Sequence, residues 1–166
     1  EMSTTNTKLS PVIDLQRASA YVIQNRLNSP TSGNTPDFVS DTAKTGTSTA
    51  GVYLTRPIVL ENNSTALDIR LTANIRSSSE IKLFFRTSGA SEVRKIEDLN
   101  WIPFNTDGSA DTAVNPSEND STFKEHKYSV SGLTDFTSFQ VKIVMKGTVS
   151  SYAPRIKDMR GIALAI

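Results

Sequence analysis

Side chains whose oxygens could hold a metal ion are concentrated in the segment 105–122, which reads NTDGSADTAVNPSENDST. Asn105, Asp107 and Asp111 lie around Gly108, and amide and carboxylate oxygens are the ligands that calcium prefers. The spacing does not match an EF-hand loop, and no glutamate occupies the closing position of such a loop. Asp-Gly and Asn-Pro pairs are also what ordinary turns require. We therefore predict a polar turn region here, with no metal site and no cofactor.

A single histidine, His126, leaves one candidate imidazole base and rules out a multi-histidine metal site. It lies in FKEHKYSV, between charged neighbours, where we expect a surface or inter-strand histidine on a half-exposed strand. The sequence has no GxSxG motif to supply a nucleophile, and its eight glycines are scattered singly rather than in a phosphate-binding loop. Carboxylate pairs such as Glu97 and Asp98 fall in polar loops. Nothing in the sequence places two carboxylates across a cleft, as a glycosidase would need. These patterns predict that the protein is not an enzyme and has no catalytic residues.

The one tryptophan, Trp101, lies in NWIPF, close to Phe104. This pair could form a platform for stacking a sugar, as in carbohydrate-binding β-sandwiches. A lone tryptophan in a short apolar strand more often belongs to a core, and a sugar platform usually needs further exposed aromatic side chains. Trp101 is therefore a candidate contact residue for a ligand or a partner. A glycan ligand is less favoured than a protein partner.

A basic cluster near the end of the chain consists of Arg155, Lys157 and Arg160, interrupted by Asp158. The default interpretation is that these charges are solvent-exposed at the edge of a strand. The more specific hypothesis is that they contact an acidic partner protein. Over the whole chain, 18 Lys and Arg balance 17 Asp and Glu, which gives a net charge of +1. This balance lacks the basic excess of nucleic-acid-binding proteins, and no apolar run approaches the roughly 20 residues of a membrane span. We therefore expect protein partners, with no nucleic acid and no membrane.

Short alternating segments are the elements that must position these residues. The clearest begins at Thr137 and reads TSFQVKIVMKG. Its alternation predicts a strand with a core face of Phe139, Val141, Ile143 and Met145 and a wet face of Gln140, Lys142 and Lys146. ALDIRLTANI and EIKLFFRT alternate in the same way, and ENNST between the strands indicates a turn. Pro57, inside GVYLTRPIVLE, indicates an edge strand or a bulge because proline cannot donate to a β-ladder.

About seven or eight such strands, with at most one short helix, predict an all-β fold. The alternating faces favour antiparallel pairing, so we predict a jelly-roll-like antiparallel β-sandwich with long polar loops. The 166 residues suffice for one domain with a buried core, and the absence of cysteine excludes disulfides. We assign the sandwich to residues 51–166. Residues 1–50 are predicted to form an extended N-terminal segment and a Ser/Thr/Gly-rich arm or loop that packs on the domain.

Within that N-terminal segment, residues 10–27 read SPVIDLQRASAYVIQNRL. The apolar positions fit a helix that begins at Ser10 and Pro11, and they also fit two short strands with an irregularity between them. Residues 28–50 are almost entirely polar, and a loop of this length is usually flexible or functional. We expect this loop and the segment 105–122 to become ordered on assembly with a partner.

Several stretches resemble segments of large virion structural proteins from contractile-tailed phages, especially phages of marine cyanobacteria. They are LSPVIDLQRASAYVIQNRLNSP, YLTRPIVLENNSTALDIRLTANIRSSSEIKLFFRT, a W-x-P-F strand, an F-K-E-x-x-Y segment and FTSFQVKIVMKGTVSSYAPRIKDMRGIALA, in this order. Such proteins are similar to baseplate and tail-fibre-attachment components, and none of these stretches is a catalytic signature. Glu1 precedes Met2, so we expect a C-terminal module or processed fragment of a longer protein, although a cloning scar would explain Glu1 equally well.

The resemblance implies a non-catalytic structural and assembly protein of a phage tail or baseplate. It would be located in the virion after assembly in the bacterial host cytoplasm. Its partners would be other tail or baseplate proteins and copies of itself. The alternative is a carbohydrate-binding β-sandwich module of a phage adhesin or of a secreted enzyme.

Overall fold

A computed structural model describes residues 9–14, 19–24, 38–49, 51–149 and 152–165 of the chain. Within these residues the chain forms ten strands and one turn of 3-10 helix at Ile96–Asp98. The strands are β1 (Leu9–Asp14), β2 (Ser19–Gln24), β3 (Gly51–Leu54), β4 (Ile58–Ser64), β5 (Ala66–Asn74), β6 (Ser79–Ser88), β7 (Ile102–Pro103), β8 (Lys124–Val130), β9 (Phe136–Gly147) and β10 (Arg155–Leu164). No helix in these ranges is long and apolar enough to cross a membrane.

Eight of these strands build an antiparallel β-sandwich, as the alternating sequence pattern predicts. One sheet has the order β10-β5-β8. The other has the order β3-β9-β6-β7, with β4 also paired to β9. All of the pairings are antiparallel. The predicted fold class, all-β with long polar loops and one short helical turn, is confirmed.

The sandwich core is made from alternate positions of its central strands, because side chains at every second residue of a strand share a face. Inward-facing positions of β5, β6 and β9 are apolar and buried, as predicted; they are Leu67, Ile69, Leu71, Ala73, Ile81, Leu83, Phe85, Phe139, Val141 and Ile143. Met145, which was predicted for the same core face, is only partly buried. Phe104, Tyr128 and Phe136 complete this core, and the Phe104 ring centroid lies 4.8 Å from that of Phe85. Burial of this set is the main force that holds the two sheets together.

The strands β3 and β4 act as one edge strand that is interrupted at Pro57. Both pair with β9, β3 opposite residues 142–145 and β4 opposite residues 136–139. Across the interruption the Thr55 hydroxyl accepts from the Val141 N–H at 2.9 Å, which keeps the ladder satisfied. The edge position predicted for Pro57 is confirmed. The turn predicted at 61–65 is wrong: β4 continues to Ser64, and the chain crosses to β5 through one residue.

The N-terminal strands β1 and β2 form a separate antiparallel hairpin. Leu9 lies opposite Gln24, and Asp14 lies opposite Ser19. Of the two alternatives for 10–27, the described residues adopt strands, so the helix is wrong there. The hairpin belongs to neither sheet of the sandwich. Residues 15–18 and 25–37, which include much of the predicted arm, lie outside the described part of the chain.

Candidate functional site

The Trp101 side chain is covered by another segment of the same chain. Trp101 is 2% exposed, and its indole Nε1 donates to the Lys44 carbonyl at 3.2 Å. Its backbone N–H donates to the Thr42 carbonyl at 2.8 Å. The Arg86 guanidinium carbon lies 4.0 Å from the ring centroid and the Lys142 Nζ lies 5.0 Å from it. Both cations therefore stack on a ring that is enclosed between the sheet and residues 38–49, where it has no free face for a sugar.

The outer side of β6 and β9 is a second buried layer, which we call the covered face. Its side chains are Phe84, Arg86, Gln140, Lys142 and Val144, and all are buried beneath residues 38–49 and 95–101. The prediction that Gln140 and Lys142 face solvent is therefore wrong, while Lys146 is partly exposed. The physical reason is that these polar groups meet backbone carbonyls of other segments instead of water.

Lys142 holds residues 38–49 to the sheet. It is fully buried, and its Nζ donates to the carbonyl oxygens of Asp41 and Gly46, the latter at 3.0 Å. Burial lowers the pKa of Lys142 to about 8; the Asp41 carboxylate opposes this shift and Arg86 adds to it. An amine with a lowered pKa is in principle a base or nucleophile. Here its donors are engaged and its approach is closed, so its role is to anchor the segment.

Arg86 connects three segments from beneath the same layer. Its Nη1 donates to the carbonyls of Glu97 and Leu99, each at 3.0 Å. Its Nε and Nη2 donate to the Gln140 side-chain oxygen at 2.9 and 2.6 Å. The Gln140 amide in turn donates to the Thr55 carbonyl at 2.6 Å. This network fixes the 3-10 turn and the interrupted edge strand to β9, which is a structural and not a catalytic arrangement.

The acidic segment uses its carboxylates to fasten turns. Asp111 accepts from the Ser129 N–H at 2.9 Å and from the Ser129 hydroxyl at 2.6 Å, so it ties the segment to β8. Asp107 accepts from the Ser109 N–H at 3.0 Å and from Lys82 at 3.1 Å. Hydrogen bonds from Ser109, followed by that from Lys82, lower the pKa of Asp107 to about 2. No group of three or more His, Cys, Asp or Glu that could hold a metal ion occurs in the residues described.

The sole histidine lies on the inner side of β8, not at the surface. His126 is buried and lines a cavity of about 420 Å³ with residues that include Ile75, Ile81 and Tyr128. Its Nε2 has no hydrogen-bond partner among the described residues. Burial, and then the nearby Lys124, lower the pKa of His126. Buried groups of this kind are ordinarily satisfied by a water molecule.

The structure gathers the predicted basic cluster on β10, but it pairs much of the charge within the chain. Arg155 lies 3.2 Å from an Asp120 carboxylate oxygen, and Arg160 lies 2.7 Å from a Glu125 carboxylate oxygen. Lys157 Nζ is 5.9 Å from the Phe123 ring centroid. All three basic side chains are exposed. They belong to the sheet opposite the one that carries Trp101, so the four predicted contact residues do not form one site.

The sequence analysis did not predict one surface of the sandwich. It lies where β3 and β4 form the edge of one sheet and β10 forms the edge of the other. We call these edge strands together the open side. They carry the exposed apolar residues Tyr53, Ile58, Val59, Ile162 and Leu164. Near Tyr53 the gap between the sheets is a groove of about 520 Å³, lined also by Met145 and Met159. Val59 is 79% exposed and Ile162 is 51% exposed. The sequence signal was the uncharged run GIALAI, which follows directly after a charged stretch.

The free edge of β10 has two unlike halves. Its first half carries a β-bulge between Ile156 and Asp158 and four charged side chains, which are devices that discourage another strand from pairing. Residues 161–164 carry no charge. No strand in the described part of the chain pairs with the outer side of β10. By contrast, the edge of β8 is covered, because the Asp111 N–H donates to the Lys127 carbonyl at 2.8 Å.

Comparison of the chain with models of known protein families found no match, and comparison with curated proteins found none either. The features that bear on function are therefore the two surfaces described above. The polar side chains of the covered face are hydrogen-bonded to other segments of the same chain. The open side combines exposed apolar side chains with an unpaired strand edge, and it is the candidate interaction site.

Proposed function

We propose that this chain is a non-catalytic structural and assembly domain of a phage tail or baseplate, which acts through protein–protein contacts. The observation that carries the contact role is the open side, with its exposed apolar residues and the free β10 edge. The virion setting rests on the resemblance of the stretches between residues 9 and 165 to phage structural proteins. The partners are other tail or baseplate proteins and further copies of the chain.

The energetics of the open side favour a protein partner. Exposed apolar side chains on strands with an unpaired edge are candidates for burial against another protein. Removing such area from water contributes about 25 cal/mol per Å² before the costs of association. Arg155 and Arg160 of β10 are already paired with Asp120 and Glu125, so these two charges can rim an interface without becoming buried and unpaired.

Four of the side chains that could do chemistry have structural tasks, which supports a non-catalytic role. Lys142 and Arg86 bind backbone carbonyls, and Asp107 and Asp111 fasten turns. The carbohydrate-binding alternative depended on an exposed Trp101, and both cations and residues 38–49 enclose that ring. The assembly role is therefore the one that the geometry supports best.

Cross-linking mass spectrometry on purified virions of the phage that encodes the chain tests the proposal. We expect the chain in the particles, with cross-links from residues of β4 and β10 to tail or baseplate proteins or to further copies. A chain that is monomeric and cross-links to no virion protein would overturn the proposal. Binding on a glycan array that is lost in a folded Trp101→Phe variant would favour the carbohydrate-binding alternative instead.

A further inference from the structure

The N-terminal hairpin has no third strand paired to it among the described residues. β1 and β2 pair with each other and belong to neither sheet of the sandwich. A lone two-stranded hairpin is at best marginally stable in water, and it becomes stable when a third strand or a hydrophobic face is added. A third strand would therefore stabilise the hairpin.

Of its two strands, β2 is the better one to receive a neighbour. β1 contains Pro11, which has no N–H to donate to a ladder. β2 reads SAYVIQ, with no proline, no glycine and no charge, and with three residues of high β-propensity at its centre. Short uncharged segments of this kind are the ones that pair readily with an exposed strand.

The open half of β10 has matching properties. Residues 161–164 read GIAL, carry no charge and contain no proline. Ile162 and Leu164 are exposed there, and the outer side of β10 is unpaired within the described residues. The charged and bulged first half of β10 would stop an incoming strand from extending further. The edge is thus receptive over a short stretch that an uncharged strand fits.

The number of residues between β2 and Phe38 limits how far the hairpin can lie from the sandwich. Residues 25–37 join β2 to the first described residue of the sandwich segment, Phe38. A chain of that length can span at most roughly 45 Å when fully extended. In the single chain β2 does not pair with its own β10.

We propose that β2 of a second copy of this chain adds to the free edge of β10 at residues 161–164, so that the sheet grows to β1-β2-β10-β5-β8. The backbone of the added strand would satisfy the unpaired groups of β10, and its apolar side chains would cover Ile162 and Leu164. This proposal rests on the assembly function above and names the partner as another copy of the chain.

Disulfide trapping between two different single-cysteine proteins tests it directly, because the chain has no cysteine of its own. One partner is the Ile162→Cys protein, and the other is each of six proteins with one cysteine along Ser19–Gln24. Val93→Cys, at a residue that is 97% exposed in a loop, replaces Ile162→Cys as the matched control. Since the two cysteines lie on different molecules, docking of a hairpin on its own sandwich gives no product.

We expect disulfide-linked heterodimers with Ile162→Cys at yields about tenfold above those with Val93→Cys, as a stable added strand requires. The yield should alternate along β2 with a period of two, because neighbouring residues of a strand point to opposite faces. Equal yields with both partners, or yields that do not alternate along β2, would overturn strand addition.

A substitution at the edge provides a second readout. Ile162→Lys places a charge on the receptive half of β10, which natural edge strands use to prevent pairing. We expect it to weaken self-association by at least about tenfold in sedimentation experiments, whereas Val93→Lys leaves it unchanged. Unchanged self-association of a folded Ile162→Lys protein would overturn the proposal.

The two proposals fail in distinguishable ways. If the chain cross-links to tail or baseplate proteins in virions but β2 is not trapped at Ile162, strand addition is wrong and the assembly function stands. If the chain neither self-associates nor contacts any virion protein, both are wrong.

Discussion

The covered face and the open side place their side chains in opposite ways. On the covered face Lys142 is fully buried and Arg86 nearly so, and both bind carbonyls of distant segments. On the open side Val59 and Ile162 are exposed, although they lie in strands of the same sandwich. The difference teaches that a strand's alternation defines which residues share a face, while the segments that cross this face decide what is buried.

Removal of Arg86 should produce the largest effect in this comparison. Arg86→Ala leaves the Gln140 side-chain oxygen and the carbonyls of Glu97 and Leu99 without their donor. We expect a loss of about 3–5 kcal/mol in the free energy of unfolding, measured by chemical denaturation. The matched control is Arg94→Ala, which removes an exposed pair with Glu92 and should cost far less stability. Equal losses would mean that the covered face is not a structural layer.

The lowered pKa of Lys142 should make stability rise with pH. The folded protein releases the Lys142 proton near pH 8 and the unfolded chain releases it near 10.5, so between these values the unfolded state binds more protons. The free energy of unfolding therefore increases from pH 8 to pH 10, by about 2 kcal/mol. Urea denaturation of the wild type and of Lys142→Met across this range measures the effect as the difference between the two proteins.

Lys142→Met removes the titrating amine and should remove that rise. The comparison between the two proteins cancels contributions from Tyr128, whose pKa is raised by burial, and from exposed lysines. A rise that is the same in both proteins would show that the buried amine does not titrate in this range. The covered face would then lack the desolvated charge that sets it apart from the open side.

The same substitution at the two surfaces gives the smallest and most closely matched contrast. Val144→Ala, on the covered face, removes methyl groups that are 0% exposed and should cost about 1.5 kcal/mol. Val59→Ala, on the open side, should change the free energy of unfolding by less than about 0.5 kcal/mol. Thermal denaturation of both variants, with the wild type as reference, measures this contrast. A larger loss for Val59→Ala would mean that the open side is part of the core.

Local pattern was sufficient to predict the sandwich. Leu67, Ile69 and Leu71 alternate with polar residues and are buried, because a period of two matches the pleat of a strand. Pro57 identified an edge because its missing N–H is a local property. The setting in a phage virion stays a prediction that follows from resemblance.

The burial of Lys142 was not predictable from local pattern. Its partner Asp41 is 101 residues away in the chain. A lysine that alternates with apolar residues in a strand is predicted to face solvent, unless it is known that a distant segment covers that face. The open side was missed for the converse reason. The sequence around Val59 and Ile162 indicates strands, but exposure depends on which strands end up at the sheet edges.

The position of β9 has a consequence for motion. This strand is flanked by β6 on one side and by β3 and β4 on the other, and residues 139–144 are buried on both of its faces. Its amide protons should therefore exchange with solvent only when the whole domain unfolds, whereas those on the outer side of β10 should exchange by local fraying. We therefore expect a rigid central strand, β9, and a locally flexible margin at the outer side of β10. That margin can be remodelled, within the lifetime of the folded state, without disturbing the strand that holds the rest together.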